Sequence, residues 1–314
     1  MALLLGLSSA ALAESACPPL PGYGLPPGVF ALHEMDLHLH AGMERPVPLT
    51  DWLDYAAKDG RKVVVLLDHL ELYRKSPEEY RQWRDEGKFQ AEYPVGAAGH
   101  DALMKDFAQA GRRQDLIVFT GWEVYEGELD TGVEAEALRR VDLLGWHISP
   151  NNGREAPNGQ TLLRRAQQLK DLQKDFPVPM VLFHPFTMRI ENLQRTAQRE
   201  GRDSAAITAE QYRFFQPGEQ EQLAEILRGS SIYIEISNST GHYWDQPACR
   251  AALIADIRPL AEQGVQFIVS TDAHSVKHAE EPFRPESYCT ELGVTPENTN
   301  TIVRELLAIR AKSP

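Results

Sequence analysis

Five short stretches of this chain each end an apolar run in His, Asp or Glu. They are Asp36-Leu37-His38-Leu39-His40, Asp68-His69 after Val63-Val64-Val65-Leu66-Leu67, Glu123 in Thr120-Gly121-Trp122-Glu123, His184-Pro185 after Met180-Val181-Leu182-Phe183, and Asp272-Ala273-His274 after Phe267-Ile268-Val269-Ser270. Divalent Zn, Mn and Fe ions take mixed imidazole and carboxylate ligands, so the residue types point to a site for several cations. Two histidines two apart on an extended segment point to the same side, as a shared metal needs. Such a pair alone is common on surface strands. With Asp68-His69, Glu123, His147, His184 and Asp272-x-His274 at strand ends, the pattern describes a metal centre. The opposing reading, a buried polar group satisfied by hydrogen bonds, fits a lone residue better than this set, although Trp146-His147-Ile148-Ser149 also reads as a plain strand end. Asp36 and Asp68 precede ligand histidines and are expected to accept hydrogen bonds that orient imidazoles. Glu235, in Ile234-Glu235-Ile236, ends another strand and reads as a rim residue or as a further ligand.

The elements that must hold these residues follow from the apolar periodicity. Strand-length runs cover Ala31 to Leu37, Lys62 to Leu67, Leu116 to Thr120, Val141 to Trp146, Val178 to Phe183, Ser231 to Ile236 and Val265 to Ser270. Helical stretches fall at Leu49 to Lys58, Asp101 to Gly111, Gln160 to Asp175, Glu219 to Leu227 and Pro247 to Gln263. A last helix is expected from Thr295-Pro296-Glu297 to about Ala311, with Thr at the cap and Pro in the first turn. Strands alternating with helices predict a single distorted (β/α)7 TIM-like barrel with the metal site at the C-terminal ends of the strands. Two connections, 70–100 and 186–217, exceed what a barrel needs. They read as substrate-selecting loops or as solvated helical decoration.

Composition bounds the partners. The chain has 314 residues, 42% hydrophobic and 25% charged, with a formal net charge of -13. That charge gives no general attraction to a polyanion, so nucleic acid is not an expected partner. The opening Met1 to Ala13 is an apolar run ending Ala11-Leu12-Ala13, which reads as a signal peptide cleaved before Glu14, although the usual basic start is missing. Residues 14–30 form a Pro-rich leader, which argues against the alternative of a buried N-terminal helix. Residues 31–314 are then the barrel domain of an exported protein, periplasmic or secreted, with no membrane span in the mature chain. Three cysteines make no disulfide framework. Cys249 and Cys289 either pair in an oxidising compartment or stay free.

The ligand segments resemble the PHP (polymerase and histidinol phosphatase) family of metallohydrolases across roughly residues 33–276. The resemblance implies a seven-stranded barrel with two or three divalent ions (Zn, Mn or Fe). It makes His38, His40 and Asp272 ligands of one ion and Glu123 a bridging carboxylate. His147 and His184 would then complete a second site, and His69 and His274 would serve a third. Where the family usually supplies another ligand to the third ion, this chain has Pro46; Glu44, two residues earlier, is the candidate substitute.

The chemistry expected from this set is hydrolysis of a small phosphorylated substrate by a metal-bound hydroxide, with Glu123, Asp272 and His274 as catalytic residues. Arg189 and Arg45 are candidate partners for the substrate anion, though either also reads as an exposed loop arginine. An ester, amide or carbamate hydrolase on the same barrel is the alternative. A non-catalytic metal-binding accessory domain is the third reading.

Overall fold

A computed structural model describes residues 30–41, 49–70, 76, 78–79, 81–82, 97–124, 135–148, 157–275, 286–295 and 297–312. Seven strands, β1 (Met35–His40), β2 (Val63–His69), β3 (Ile117–Val124), β4 (Leu143–His147), β5 (Met180–Phe183), β6 (Ile232–Ser237) and β7 (Phe267–Ser270), pair in sequence order. Every pairing is parallel. Between them run α1 (Leu49–Lys58), α2 (Ala97–Ala110), α3 (Ala135–Arg139), α4 (Gly159–Leu172), α5 (Pro185–Arg199), α6 (Ala209–Tyr212), α7 (Glu219–Leu227), α8 (Ser239–Trp244) and α9 (Pro247–Glu262). Then α10 (Glu286–Leu292) and α11 (Ile302–Lys312) follow among the described residues. The fold is a seven-stranded β/α barrel, as the alternation predicts.

A parallel sheet covered on both faces favours a continuous apolar run, and β2 is buried throughout, apolar from Val63 to Leu67 before Asp68 and His69 at its end. Its two faces serve two cores. Val63, Val65 and Leu67 pack with Ile117, Phe119, Leu143, Val181, Phe183 and Ile268 inside the barrel. Val64 and Leu66 join the outer layer beneath the helices. In α1 the buried residues Leu49, Trp52, Leu53 and Ala56 recur at the spacing of one helical face. The inner core is closed from the strand N-terminal end by Ile302, Val303, Leu306 and Leu307 of α11.

β1 departs from regular alternation. Its pairing with β2 shifts between Asp36 and Leu39, where Asp36 faces Val64 but Leu39 faces Leu66. The extra residue is a β-bulge. Met35 and Leu37 both pack in the inner core, whereas Leu39 lies in the outer one. The bulge absorbs the change of parity, so His38 and His40 follow Leu37 toward the barrel interior.

Closure between β1 and β7 is sparse. Leu39 and Ala273 form a single bridge, with His40 N–H donating to Ala273 O at 3.0 Å and Ala273 N–H to His38 O at 3.4 Å. Lower in the same seam Asp36 accepts from Thr271 N–H at 3.1 Å and Thr271 Oγ1 at 2.7 Å. This corrects the expectation that Asp36 orients an imidazole: its carboxylate ties the two edge strands.

Other expectations shift at their ends. The first strand begins at Met35 rather than Ala31, because Leu32–Glu34 form a 3-10 turn. The last helix begins at Ile302, not Thr295. Residues 298–300 instead lie along β7: Phe267 N–H donates to Asn298 O, Asn300 N–H to Phe267 O, and Asn300 Oδ1 accepts from Val269 N–H. They cover an edge that β1 leaves open. Of the two long connections, 186–217 is largely helical, holding α5, a 3-10 turn at Ser204–Ala206 and α6. Much of 70–100 lies outside the described residues. Cys249 and Cys289 are buried thiols that do not pair in a disulfide; Cys17 lies outside the described residues. Among the described residues, no helix is long and apolar enough to cross a membrane.

Candidate metal centre

Each predicted ligand within the described residues sits at or just past the C-terminal end of a strand. His38 and His40 lie on β1, His69 ends β2, Glu123 is next to last on β3 and His147 ends β4. His184 follows β5, and Asp272 and His274 follow β7. On β3 and β4 the inward position two residues before the ligand is glycine. A Cβ on Gly121 would lie 2.5 Å from a Leu67 methyl, and one on Gly145 only 2.1 Å from the Phe183 ring. These close approaches let Leu67 and Phe183 fill the floor of the site, and Phe183 packs against His38 with ring centroids 4.4 Å apart.

Two of the ligands carry unusual backbone. His184 (φ 27°) and Asp272 (φ 56°) occupy the left-handed region without being glycine. Each such residue costs about 1–3 kcal/mol and persists only where its surroundings hold it. Around His184 the N–H donates to Glu235 Oε2 at 2.9 Å, the carbonyl accepts from Thr187 Oγ1 at 3.2 Å, and Pro185 starts α5 at once.

The side-chain atoms converge tightly. His38 Nε2 and His40 Nε2 are 3.0 Å apart. Glu123 Oε2 lies 3.2 Å from the first and 3.1 Å from the second. Asp272 Oδ1 lies 3.5 Å and 3.3 Å from the same two nitrogens. A tetrahedral ion with ligands at about 2.0–2.1 Å has ligand–ligand edges of about 3.3–3.4 Å, close to what these atoms make. The other carboxylate oxygens face a second set. Glu123 Oε1 lies 2.8 Å from His147 Nδ1 and 3.3 Å from His184 Nε2, and Asp272 Oδ2 lies 3.6 Å from His184 Nε2. Both carboxylates therefore span two clusters; the resemblance implies that role for Glu123 only. His69 and His274 flank the first cluster. Their rings stack on His40, His69 Nε2 reaches Glu123 Oε2 at 3.7 Å, and His274 Nε2 reaches Asp272 Oδ1 at 3.3 Å.

His38 tests whether a cation fits. Its Nδ1 is 2.8 Å from Glu235 Oε1, so that nitrogen carries the hydrogen. In the neutral ring, Nε2 then offers only a lone pair. It would face the lone pairs of Glu123 and Asp272, an arrangement that needs a positive charge there, carried by a proton on the ring in the metal-free chain or by a bound cation. Burial pushes the His38 pKa down, but the carboxylates of Glu235, Asp272 and Glu123 outweigh it and lift it to about 10. Burial likewise opposes ionisation of Glu123 and Asp272. Yet the facing imidazoles, His69 and His38 for Glu123, His184 and His38 for Asp272, hold both well below the usual carboxylate range. His184 is raised against its burial by Asp272 and Glu123. His147 is lowered to about 4 by burial and by His184 beside it. These residues form groups able to hold metal ions: His38, His40 and Glu123; Glu123, His147 and His184; His40, Asp272 and His274.

The remaining candidates divide. Glu44 and Arg45 lie outside the described residues. Arg189 Nη2 donates to Gln211 O of α6 at 3.2 Å, and burial lowers its pKa against the pull of Asp256. Asp68 Oδ1 accepts from the His69 N–H at 2.8 Å. Spacing alone assigns no task to Ser270 or Thr271. Ser270 donates to Glu235, and Thr271 joins β7 to Asp36. The signal was two hydroxyl residues between an apolar strand and Asp272.

No family model matches the chain. No curated protein matches it. Among solved structures it is similar to a chain in the cryo-EM structure of archaeal ribonuclease P with mature tRNA, at TM-score 0.48 and 11% identity over 88% of this chain and 90% of that one. It is also similar to the YdjI aldolase from Escherichia coli K12, at 0.41 and 9% over 83% and 72%. A third is dihydroorotase from Campylobacter jejuni, at 0.38 and 11% over 89% and 83%. Likeness at these scores says nothing of activity; the barrel and its His, Glu and Asp cluster stand on this chain's own strand order and distances.

Proposed function

We propose that this chain is an exported, PHP-type metallohydrolase that cleaves a small phosphoester with two divalent ions. One observation carries the reading: Glu123 and Asp272 each turn their two oxygens to different imidazole sets, as carboxylates shared by neighbouring cations do. When bound, such ions polarise a phosphoryl oxygen and activate the attacking water. The chain's residues supply the rest. Glu123, fully buried, fixes the spacing between the clusters. The side chains of Asp272 and His274 are 22% and 27% exposed, while His38 and Glu123 are 0%. This exposure supports entry of substrate from the β7 side, where His274 would move a proton to the leaving group. Phe183, beneath His38, keeps water from the floor of the site.

The test is metal quantification on the purified chain together with a panel of a phosphomonoester, a phosphodiester and aryl esters. The reading expects about two ions per chain and phosphoester turnover that a chelator abolishes. Fewer than one ion with no turnover of any ester would leave a non-catalytic accessory barrel instead. One observation favours a second reading, hydrolysis of an ester, amide or carbamate. Arg189, the candidate phosphate partner, spends its Nη2 on Gln211 O. Aryl ester turnover without phosphoester turnover would decide for it.

A further inference from the structure

Glu235 is a fully buried carboxylate beside the centre to which the hydrolytic proposal gives no task. It lies on β6, between Ile234 and Ile236, and three donors meet it. Oε1 faces His38 Nδ1 at 2.8 Å and accepts from the Ser270 hydroxyl. Oε2 accepts the His184 N–H at 2.9 Å. His38 belongs to the first cluster and His184 to the second. One side chain thus fixes a ring in one cluster and the backbone in the other.

The physical effect differs at each end. An imidazole that gives its Nδ1 hydrogen to a carboxylate is locked in one tautomer, with the Nε2 lone pair aimed at the cation and its basicity raised. At His184 the contact holds the N–H of a residue in left-handed backbone, φ 27°, which fixes where its ring starts. Glu235 also lies in a group with His38 and His184 whose ligand atoms fall within 4.8 Å of one another, so direct ligation is the rival role. The 2.8 Å separation from Nδ1 is a hydrogen-bond length, and each Glu235 oxygen already accepts a donor.

We infer that Glu235 is a positioning residue shared by both cation sites, holding His38 for one ion and His184 for the other so that the two load as a unit. The inference rests on the metal-centre reading above and goes beyond it by naming what couples the ions. Glu235→Gln keeps the volume but turns an NH2 group on one of the donors. Titration of the metal-free chain with Co²⁺ against a chromophoric chelator reads each ion's affinity, and the visible Co²⁺ absorption reads its geometry. For E235Q both affinities should fall together by about 10–100-fold, with the absorption of both ions altered. His147→Ala is the contrast and should weaken chiefly one ion. Two unchanged affinities in E235Q would overturn the inference, and so would loss of one ion with the other untouched, which marks a direct ligand. Should E235Q not fold, Glu235→Asp, one methylene short of both donors, is read in the same way. A wild-type chain that binds no Co²⁺ would overturn the proposed function itself.

Discussion

His38 faces carboxylates through both of its nitrogens, and this makes cation uptake a proton exchange. In the metal-free chain its pKa of about 10 means the ring is protonated at neutral pH. A cation must expel that proton, so affinity at the first cluster should rise with pH and loading there should release protons. Calorimetric titrations in buffers of different ionisation heat check this; a heat independent of buffer would contradict it. The same shifts set the metal-free stability. His38 has a raised pKa, so its contribution is complete below about 6.5 and lost as pH climbs through about 10. Glu123 and Asp272 have depressed values, so theirs is complete above about 4.5 and lost on acidification. Melting temperature against pH, with and without metal, should show the alkaline loss only in the metal-free chain. Glu123→Ala removes the carboxylate shared by both clusters. It should take cation content below one per chain and lower hydrolysis by at least about 10²-fold. The residues that converge were legible from spacing because His, Asp and Glu end several successive strands, although Asp36 shows that one such residue can serve the seam instead. That Asp272 turns its two oxygens to different imidazole sets was not legible, since it depends on where each oxygen points.

Elements set how much room the centre has. On β4, Gly145 lets the Phe183 ring lie against the strand, and Phe183 in turn supports His38. Gly145→Ala should force that ring toward His38. A destabilisation of about 1–3 kcal/mol by thermal or denaturant unfolding is expected, with weaker cation binding. At the seam, Asp36→Ala leaves Thr271 N–H without its acceptor and its hydroxyl with only the His38 carbonyl at 3.5 Å. The expected cost is about 1–3 kcal/mol in unfolding free energy, and cation affinity should drop because Asp272 is the next residue. Helix α7 was read to its final residue from periodicity, and α9 to within one. The last helix was misplaced because Thr295-Pro296 carries a helix-start signal. Contacts from 298–300 to β7, distant in sequence, override it.

For the whole molecule, the strand order was legible because parallel strands buried on both faces are written as unbroken apolar runs. Closure was not. It depends on one backbone bridge, the Asp36 carboxylate and Asn300, none of which an apolar pattern encodes. The bulge in β1 has a consequence for chain length. Read as plain alternation, Met35, Leu37 and Leu39 share one face and the two histidines the other, yet Leu37 and His38 both turn inward. Removing Leu37 should therefore straighten the strand, keep both imidazoles on the axis and spare cation content, at about 2–5 kcal/mol for one lost core leucine. Removing Leu39 should turn one ring toward the helices and empty the cluster. Shortening by one residue is thus tolerable at one position and ruinous two residues later, because the chain counts steps to the axis rather than total length.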